Sequence, residues 1–470
     1  LAELTKKGAS KPALSPAPPH NLSARARANG TAQTRLAVEY REIDTLKLDP
    51  NNPREHSSKR IGQIATSIEA FGFNVPVLID ASSKIIAGHG RILACRKLGW
   101  LEVPTVRLDN LTEAQAKAFM IADNRLTETS TWNERVLALN LKELSVLNLD
   151  FNLEATGFDM GEIDIKIEDL DGDQTEPEPE DVLPSLGPPV SRLGDMWILG
   201  KHRLLCGNSL DEASYKILLQ NDRAAVVVTD PPFNVPIDGH VSGLGSIQHR
   251  EFAMASGEMS EIEFSEFLTK LCKLLAMNSV DGSLHYLFMD WRHLDELLAA
   301  GKATYSELKN ICVWVKTNAG MGSLYRSQHE FVAVFKSGKG QHWNNIQLGR
   351  FGRHRSNVWT YPGMTSVRRS SDEGDLLSLH PTVKPLALVV DVLLDASGRN
   401  DIVLDPFLGS GTTLIAAERV GRRCCAIELD PAYVDVAVRR WQRWTGELAR
   451  HSESGRTFDE CAATTEQGHV

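Results

Sequence analysis

The chain has 470 residues, of which 42% are hydrophobic and 24% charged, and a net charge of -10 from 51 basic and 61 acidic side chains. That length leaves room for two or three domains, and the acidic balance argues against a protein that coats nucleic acid while allowing a local basic face. Seven cysteines, none in a CxxC pair, read as reduced thiols of a cytoplasmic protein and against a disulfide frame or a metal site.

Residues 1–37 are rich in Pro, Ala and Ser, lack the apolar run of a signal peptide, and read as a disordered tail. No later run has the length of a membrane span. From residue 38 to 150 strands and helices alternate in a small α/β module. "SSKRIGQIATSIEAFGF" places Ile61, Ile64, Ile68 and Phe71 on one helical face, with Ser57 or Ser58 as cap and Gly72 as stop. "VPVLID", "KIIAGHGRILACRKLGW" and "VPTVRL" read as strand, strand–turn–helix and strand. "LTEAQAKAFMIADNRL" and "NERVLALNLKEL" follow as helices. Residues 151–190 read as an acidic linker: Asp159 to Asp181 holds eleven acids against one lysine and runs into a Pro-rich stretch. A mimic lying across a basic groove is the alternative reading.

From 191 to 447 strands and helices alternate again, which predicts a mostly parallel, doubly wound sheet covered on both faces. "NICVWVK" and "HEFVAVFK" are close enough to pair as an antiparallel edge. Residues 448–470 read as a second tail.

The stretch "DIVLDPFLGSGTTLIAAERVGRRCCAIELD" points to a ligand. A strand runs into a glycine turn at a helix start, where main-chain N–H groups face a bound molecule. A second strand ends in Glu428, placed to grip the two hydroxyls of a ribose. A phosphate loop needs Lys after its last glycine, and Thr412 follows Gly411 instead; GxGxxG is also absent. A ribose without a pyrophosphate fits S-adenosylmethionine; a tight turn with a chance Glu is the plainer reading.

"VVVTDPPFNV" is the second unusual strand end. If its strand and "DIVLD" are neighbours where strand order reverses, Asp230 faces the cofactor's methyl group. The exocyclic amine of adenine or cytosine is a poor nucleophile, its lone pair delocalised into the ring. A carboxylate and a main-chain carbonyl can accept its two N–H bonds and stabilise the charge that develops. Proline offers a carbonyl with no competing N–H, and Phe233 offers a flat wall for a base lifted from the stack.

"TDPPFN", then "HPTVKP" and "DPFLGSGTT", in that order, resemble the β-class amino-methyltransferases of DNA over about 193 to 445. So do "LGKHRLLCGNS" and "VWVKTNAGMGSLYRSQHEFVAVFK". The resemblance implies a Rossmann-like S-adenosylmethionine-dependent domain with Asp230, Pro231, Pro232 and Phe233 as catalytic loop. It implies that Asp405, Phe407, Gly409, Gly411 and Thr412 wrap the cofactor and that Glu428 holds its ribose. Thr382 and Lys384 should touch its amino-acid end, and Asn208 stands where the family usually has Asp near the adenine. Asp at the first clamp position is similar to adenine-N6 enzymes; cytosine-N4 methylation is the alternative. Cytosine-C5 chemistry needs a nucleophilic Cys, typically after proline, and no Pro-Cys pair occurs.

The same resemblance puts target recognition at about 337–379. There Arg350, Arg353, Arg355, Arg368 and Arg369 make a basic patch for DNA phosphates, interleaved with Trp343, Trp359 and Tyr361. The glycine-rich stretch after the clamp, with His240 and His249, is expected to close over the flipped base. The 38–150 module resembles the ParB-like nuclease/sulfiredoxin fold through "FGFNVPVLID", "IIAGHGRILACRKLG" and "VPTVRL". Gly88, His89, Gly90 and Arg91 form its candidate phosphate-binding turn, although ParB itself usually has Glu-Arg at His89-Gly90. The implied partner is double-stranded DNA. A homodimer, a partner nuclease and a non-catalytic ParB-like DNA-binding protein stay open.

Overall fold

The computed structural model describes residues 36–128, 131–147, 149–168, 170, 189–234, 257–317, 324–346, 353–362 and 384–467. Two compact units divide the chain, Leu1–Thr131 and Trp132–Val470.

In the first unit β1 (Val38–Glu42), α1 (Ser58–Phe71), β2 (Val77–Ile79), β3 (Ile85–Ala87), α2 (His89–Leu98), β4 (Glu102–Arg107) and α3 (Glu113–Glu128) follow in order. The sheet order is β1-β4-β2-β3, with β2 parallel to β4 and the other pairs antiparallel. Ser57 caps α1 by accepting from the Arg60 N–H, and Gly72 ends it at φ 79°. Ile68 is buried and Ile61 and Ile64 pack beside it, while Phe71 at the last turn is exposed.

The second unit opens with α4 (Glu134–Val146), a 3-10 turn (Leu153–Thr156) and α5 (Met160–Glu168). The acidic stretch is therefore not linker from its start. Leu153, Ile163 and Ile167 bury against Leu137 and Leu141, a helical spacing masked in the sequence by the surrounding acids. One of those acids, Asp164, is itself buried: its carboxylate meets Arg422 Nη2 at 2.7 Å and Arg399 Nε at 3.0 Å. The rest of the expected linker, 171–188, lies outside the described residues.

The sheet of this unit comprises β5 (Met196–Leu199), β6 (His202–Cys206), β7 (Ala224–Thr229), β8 (Ser279–Met289), β9 (Glu307–Val315), β10 (His329–Lys336), β11 (Val358–Thr360), β12 (Ile402–Asp405), β13 (Arg423–Glu428) and β14 (Arg450–His451). Between them run α6 (Glu212–Leu219), α7 (Glu261–Met277), α8 (Leu294–Thr304), α9 (Leu386–Ala396), α10 (Thr412–Arg419) and α11 (Pro431–Thr445). The order is β11-β9-β10-β8-β7-β12-β13-β6-β5-β14. β8, β7, β12, β13 and β6 are parallel; β10 runs antiparallel between β8 and β9.

Helices cover both faces, so successive strand residues are buried on opposite sides. Val226 and Val228 join the core under α9, α10 and α11, whereas Val227 joins the core under α6, α7 and α8. The adjacent Cys424 and Cys425 divide the same way, and all seven cysteines are free thiols. The C-terminal stretch is also ordered rather than a tail. β14 pairs with β5, and in α12 (Phe458–Gln467) the buried Phe458 ring packs edge-on against Trp197 at 5.1 Å. Among the described residues no helix is long and apolar enough to cross a membrane.

Candidate active site

β7 leads through α7 to β8 on one side, and β12 leads through α10 to β13 on the other, so the direction of travel from strand to strand reverses between β7 and β12. These two strands are direct parallel neighbours, with Val227 opposite Leu404. Their carboxyl ends open the crevice in which doubly wound sheets bind ligands. Three acids stand along it: Asp230 just past β7, Asp405 closing β12 and Glu428 closing β13.

Asp405 ties the two strand ends together. Its Oδ1 accepts from the Thr229 hydroxyl at 2.8 Å and from the Phe407 N–H at 3.1 Å. Burial pushes its pKa up to about 6 against these bonds.

The glycine turn after β12 is built from within. Gly409 and Gly411 sit at φ 55° and 93°, where a side chain would be strained, and Gly411 caps α10. A Cβ on Gly411 would stand 3.0 Å from that of Ala437, so the glycine also lets α11 approach. The Gly409 N–H donates to Glu428 Oε2 at 2.8 Å, and the Asp430 N–H to Oε1 at 2.9 Å. Burial still lifts Glu428 to about 7. Thr412 is buried with its hydroxyl accepting from Arg440 Nη1, and Phe407 packs on the α7 side of the sheet at 6.2 Å from Phe267. Asn208, two residues past the β6 end that pairs with Glu428, is exposed and accepts from the Leu210 N–H.

The clamp begins where β7 ends. Asp230 Oδ2 lies 2.5 Å from Lys384 Nζ, while its Oδ1 is buried without a partner. Burial raises Asp230 to about 6, and Lys384 opposes the shift. Pro231 is buried and Phe233 packs against both cores. Asn234 closes the loop in the left-handed region at φ 54°; its side chain donates to Met259 O and accepts from the Gly257 and Met259 N–H groups. That staple to the start of α7 escaped the sequence reading, although Asn is a residue that tolerates this conformation.

Lys384 does not stand free for a cofactor tail. Its ammonium is shared between Asp230 and Glu330, the latter at 3.0 Å, inside rings of Phe288, Phe233 and Trp314 at 5.1, 5.6 and 5.8 Å. Glu330 was missed as well; its signal is a lone acid at the start of an apolar strand.

The expected basic patch is corrected in part. Arg353 and Arg355 turn inward and pair with Asp391 and Asp395 of α9 at 2.8 to 3.0 Å, with Tyr361 joining them. Two acids on one helix face outcompete solvent for both guanidiniums. Arg350, Arg368, Arg369 and Thr382, and the stretch with His240 and His249, lie outside the described residues.

In the first unit Gly88 caps α2 at φ 106°, as the turn requires. His89 is buried, and its Nε2 accepts from the Asp49 N–H at 3.3 Å. Burial holds this imidazole below its usual range, hence neutral. Gly90 lies against Ile64 and His56, and Arg91 donates to Val75 O at 2.7 Å. The His and Arg of the turn thus serve the fold. Among the described residues no cluster of His, Cys, Asp or Glu could hold a metal ion.

Comparison with known proteins matches residues 224–439 to the DNA methylase family of N6 and N4 type, 135–193 to the ParB-methyltransferase HTH domain and 27–125 to the ParB N-terminal domain. The Type II methyltransferase M2.MboI of Moraxella bovis is 26% identical over 256 residues, 52% of this chain and 88% of that one. The ParB-like nuclease domain-containing protein YnaK of Escherichia coli K12 is 41% identical over 81 residues, 17% of this chain and 93% of that one. A solved putative DNA modification methylase from Thermus thermophilus, complexed with S-adenosyl-L-methionine, is 22% identical and superposes with a TM-score of 0.37 over 53% of this chain and 96% of that chain. Residues 224–439 thus carry a DNA methylase domain of N6 and N4 type, joined to ParB-type domains on its N-terminal side.

Proposed function

We propose that this protein methylates the exocyclic amine of a base turned out of double-stranded DNA, with adenine N6 as the target. The observation that carries the reading is the adjacency of β7 and β12, which sets the Asp-Pro-Pro-Phe clamp beside the glycine turn on one sheet edge.

The residues fit S-adenosylmethionine. Asp405 is buried and Glu428 half-buried beside the glycine turn, two carboxylates that suit a cationic ligand on that side of the crevice. Glu428 would hold the ribose and the Gly409–Gly411 turn the adenosine side. When bound, the cofactor supplies an electrophilic methyl carbon whose sulfur leaves as a neutral thioether. Asp230 and the Pro231 carbonyl accept the two N–H bonds of the amine and turn its lone pair toward that carbon. The Asp230 carboxylate would stabilise the positive charge that develops on the amine nitrogen, whose surplus proton would pass to solvent water. Phe233 walls the flipped ring.

Aspartate at the first clamp position favours adenine over cytosine. Expression in a host without amino-methylated DNA, followed by mass spectrometry of its nucleosides, tests the reading. N6-methyldeoxyadenosine is expected. N4-methyldeoxycytidine alone would move the target to cytosine, and neither product would leave a non-catalytic DNA-binding protein. A thermal shift with S-adenosylmethionine separates that last case, since a degenerate body should show none.

A further inference from the structure

Four charges alternate across the sheet edge: Lys316, Glu330, Lys384 and Asp230. Lys316 Nζ lies 2.5 Å from Glu330 Oε1, Glu330 Oε2 lies 3.0 Å from Lys384 Nζ, and Lys384 Nζ lies 2.5 Å from Asp230 Oδ2. The inner members are enclosed: Lys384 and Glu330 expose 7% and 9% of their side chains. They come from separate elements, Lys316 after β9, Glu330 in β10, Lys384 before α9 and Asp230 after β7. Such a row costs desolvation, and apolar residues of the same size would pack at least as well. Its retention at the reacting edge asks for a chemical reason.

The reason lies in which oxygen of Asp230 is taken. The ammonium occupies Oδ2 and leaves Oδ1 buried and empty, one acceptor held open. Without Glu330 pulling from the other side, nothing in this row keeps the ammonium from settling over both carboxylate oxygens. We propose that Glu330 is a positioning residue for methyl transfer: it shares the Lys384 ammonium with Asp230 and thereby keeps Oδ1 open to the amine of the target base. The inference rests on the function proposed above. The groups facing Asp230 are Lys384, Glu330 and Asp405.

The charge arithmetic gives a distinctive signature. Glu330 is an anion beside Asp230 and raises its pKa. Removing that charge lets Asp230 ionise more readily, so the acid limb of the pH–rate profile moves to lower pH. The competing ammonium simultaneously slows the reaction. A residue that only supported the fold would lower activity without moving the limb.

The test uses the full chain, radiolabelled S-adenosylmethionine and plasmid DNA free of amino-methylation. Glu330→Gln is expected to lower kcat by at least about tenfold, with the KM for cofactor unchanged and the acid limb displaced to lower pH. Lys316→Met, which removes a cation from the far end of the row, is expected to displace the limb to higher pH and covers the case in which Glu330→Gln does not fold. An unchanged kcat in Glu330→Gln, or a limb that stays in place in whichever variant folds, overturns the inference. No methyl transfer by the wild-type chain would instead overturn the proposed function.

Discussion

The Gly409 N–H donates to Glu428 Oε2 across the glycine turn at 2.8 Å. The residue proposed to grip a ribose therefore also shapes the loop that would hold the rest of the cofactor. Glu428→Gln keeps an acceptor for Gly409 but loses the charge. Affinity for S-adenosylmethionine should fall by roughly 1.5–3 kcal/mol, the worth of a hydrogen bond to a charged group. Titration calorimetry checks this, and an unchanged dissociation constant would remove Glu428 from the ribose role.

Asp230→Ala separates binding from chemistry. It removes the clamp acceptor and leaves the glycine turn intact, so cofactor affinity should hold while kcat drops by roughly 10²–10³. Single-turnover transfer to DNA is the measurement; wild-type rates in this variant would end the clamp mechanism.

Acidity gives a third expectation. Asp405 stands near 6 and Glu428 near 7, both raised by burial. A carboxylate whose folded value is raised binds more protons folded than unfolded, so these groups cost stability as pH climbs from about 4 through 7. A bound cation offsets that cost. Affinity for S-adenosylmethionine should therefore increase from pH 5.5 to 8, and its thermal shift should grow with it. The demethylated product, lacking the sulfonium, should show a shallower slope in the same titrations.

Arg353 and Arg355 offer a fourth. Both guanidiniums pack against Asp391 and Asp395, largely out of solvent. Arg355→Ala leaves two carboxylates short of a partner and should lower stability by roughly 3–5 kcal/mol. The slope of log K for DNA against log salt should stay as in the wild type, because no phosphate contact is lost. A slope shallower by about one would restore Arg355 to the DNA surface.

The fold was legible where local pattern and burial agree. Alternating apolar strands, the helices between them and the Ser57 and Gly72 boundaries followed from residue order, whereas the meeting of the two acid-ended strands was a condition that the β7–β12 pairing supplies. What stayed hidden depended on partners far away in sequence. Asp164 among ten other acids looks solvated until Arg399 and Arg422, more than two hundred residues on, are folded over it. Arg353 and Arg355 look like phosphate ligands until α9 presents two acids. Lys384 was expected at the amino-acid end of a cofactor; its pairing with Asp230 and Glu330 is set by tertiary packing, which no local motif encodes.

The buried Asp164 also decides where this polypeptide can be divided. A cut within the acidic run, the obvious place by composition, would carry off the carboxylate that neutralises Arg422, a side chain with no exposure to water. The catalytic half would then start life with two stranded guanidiniums in its interior. A methylase fragment that folds has to retain the two short helices and begin near Trp132.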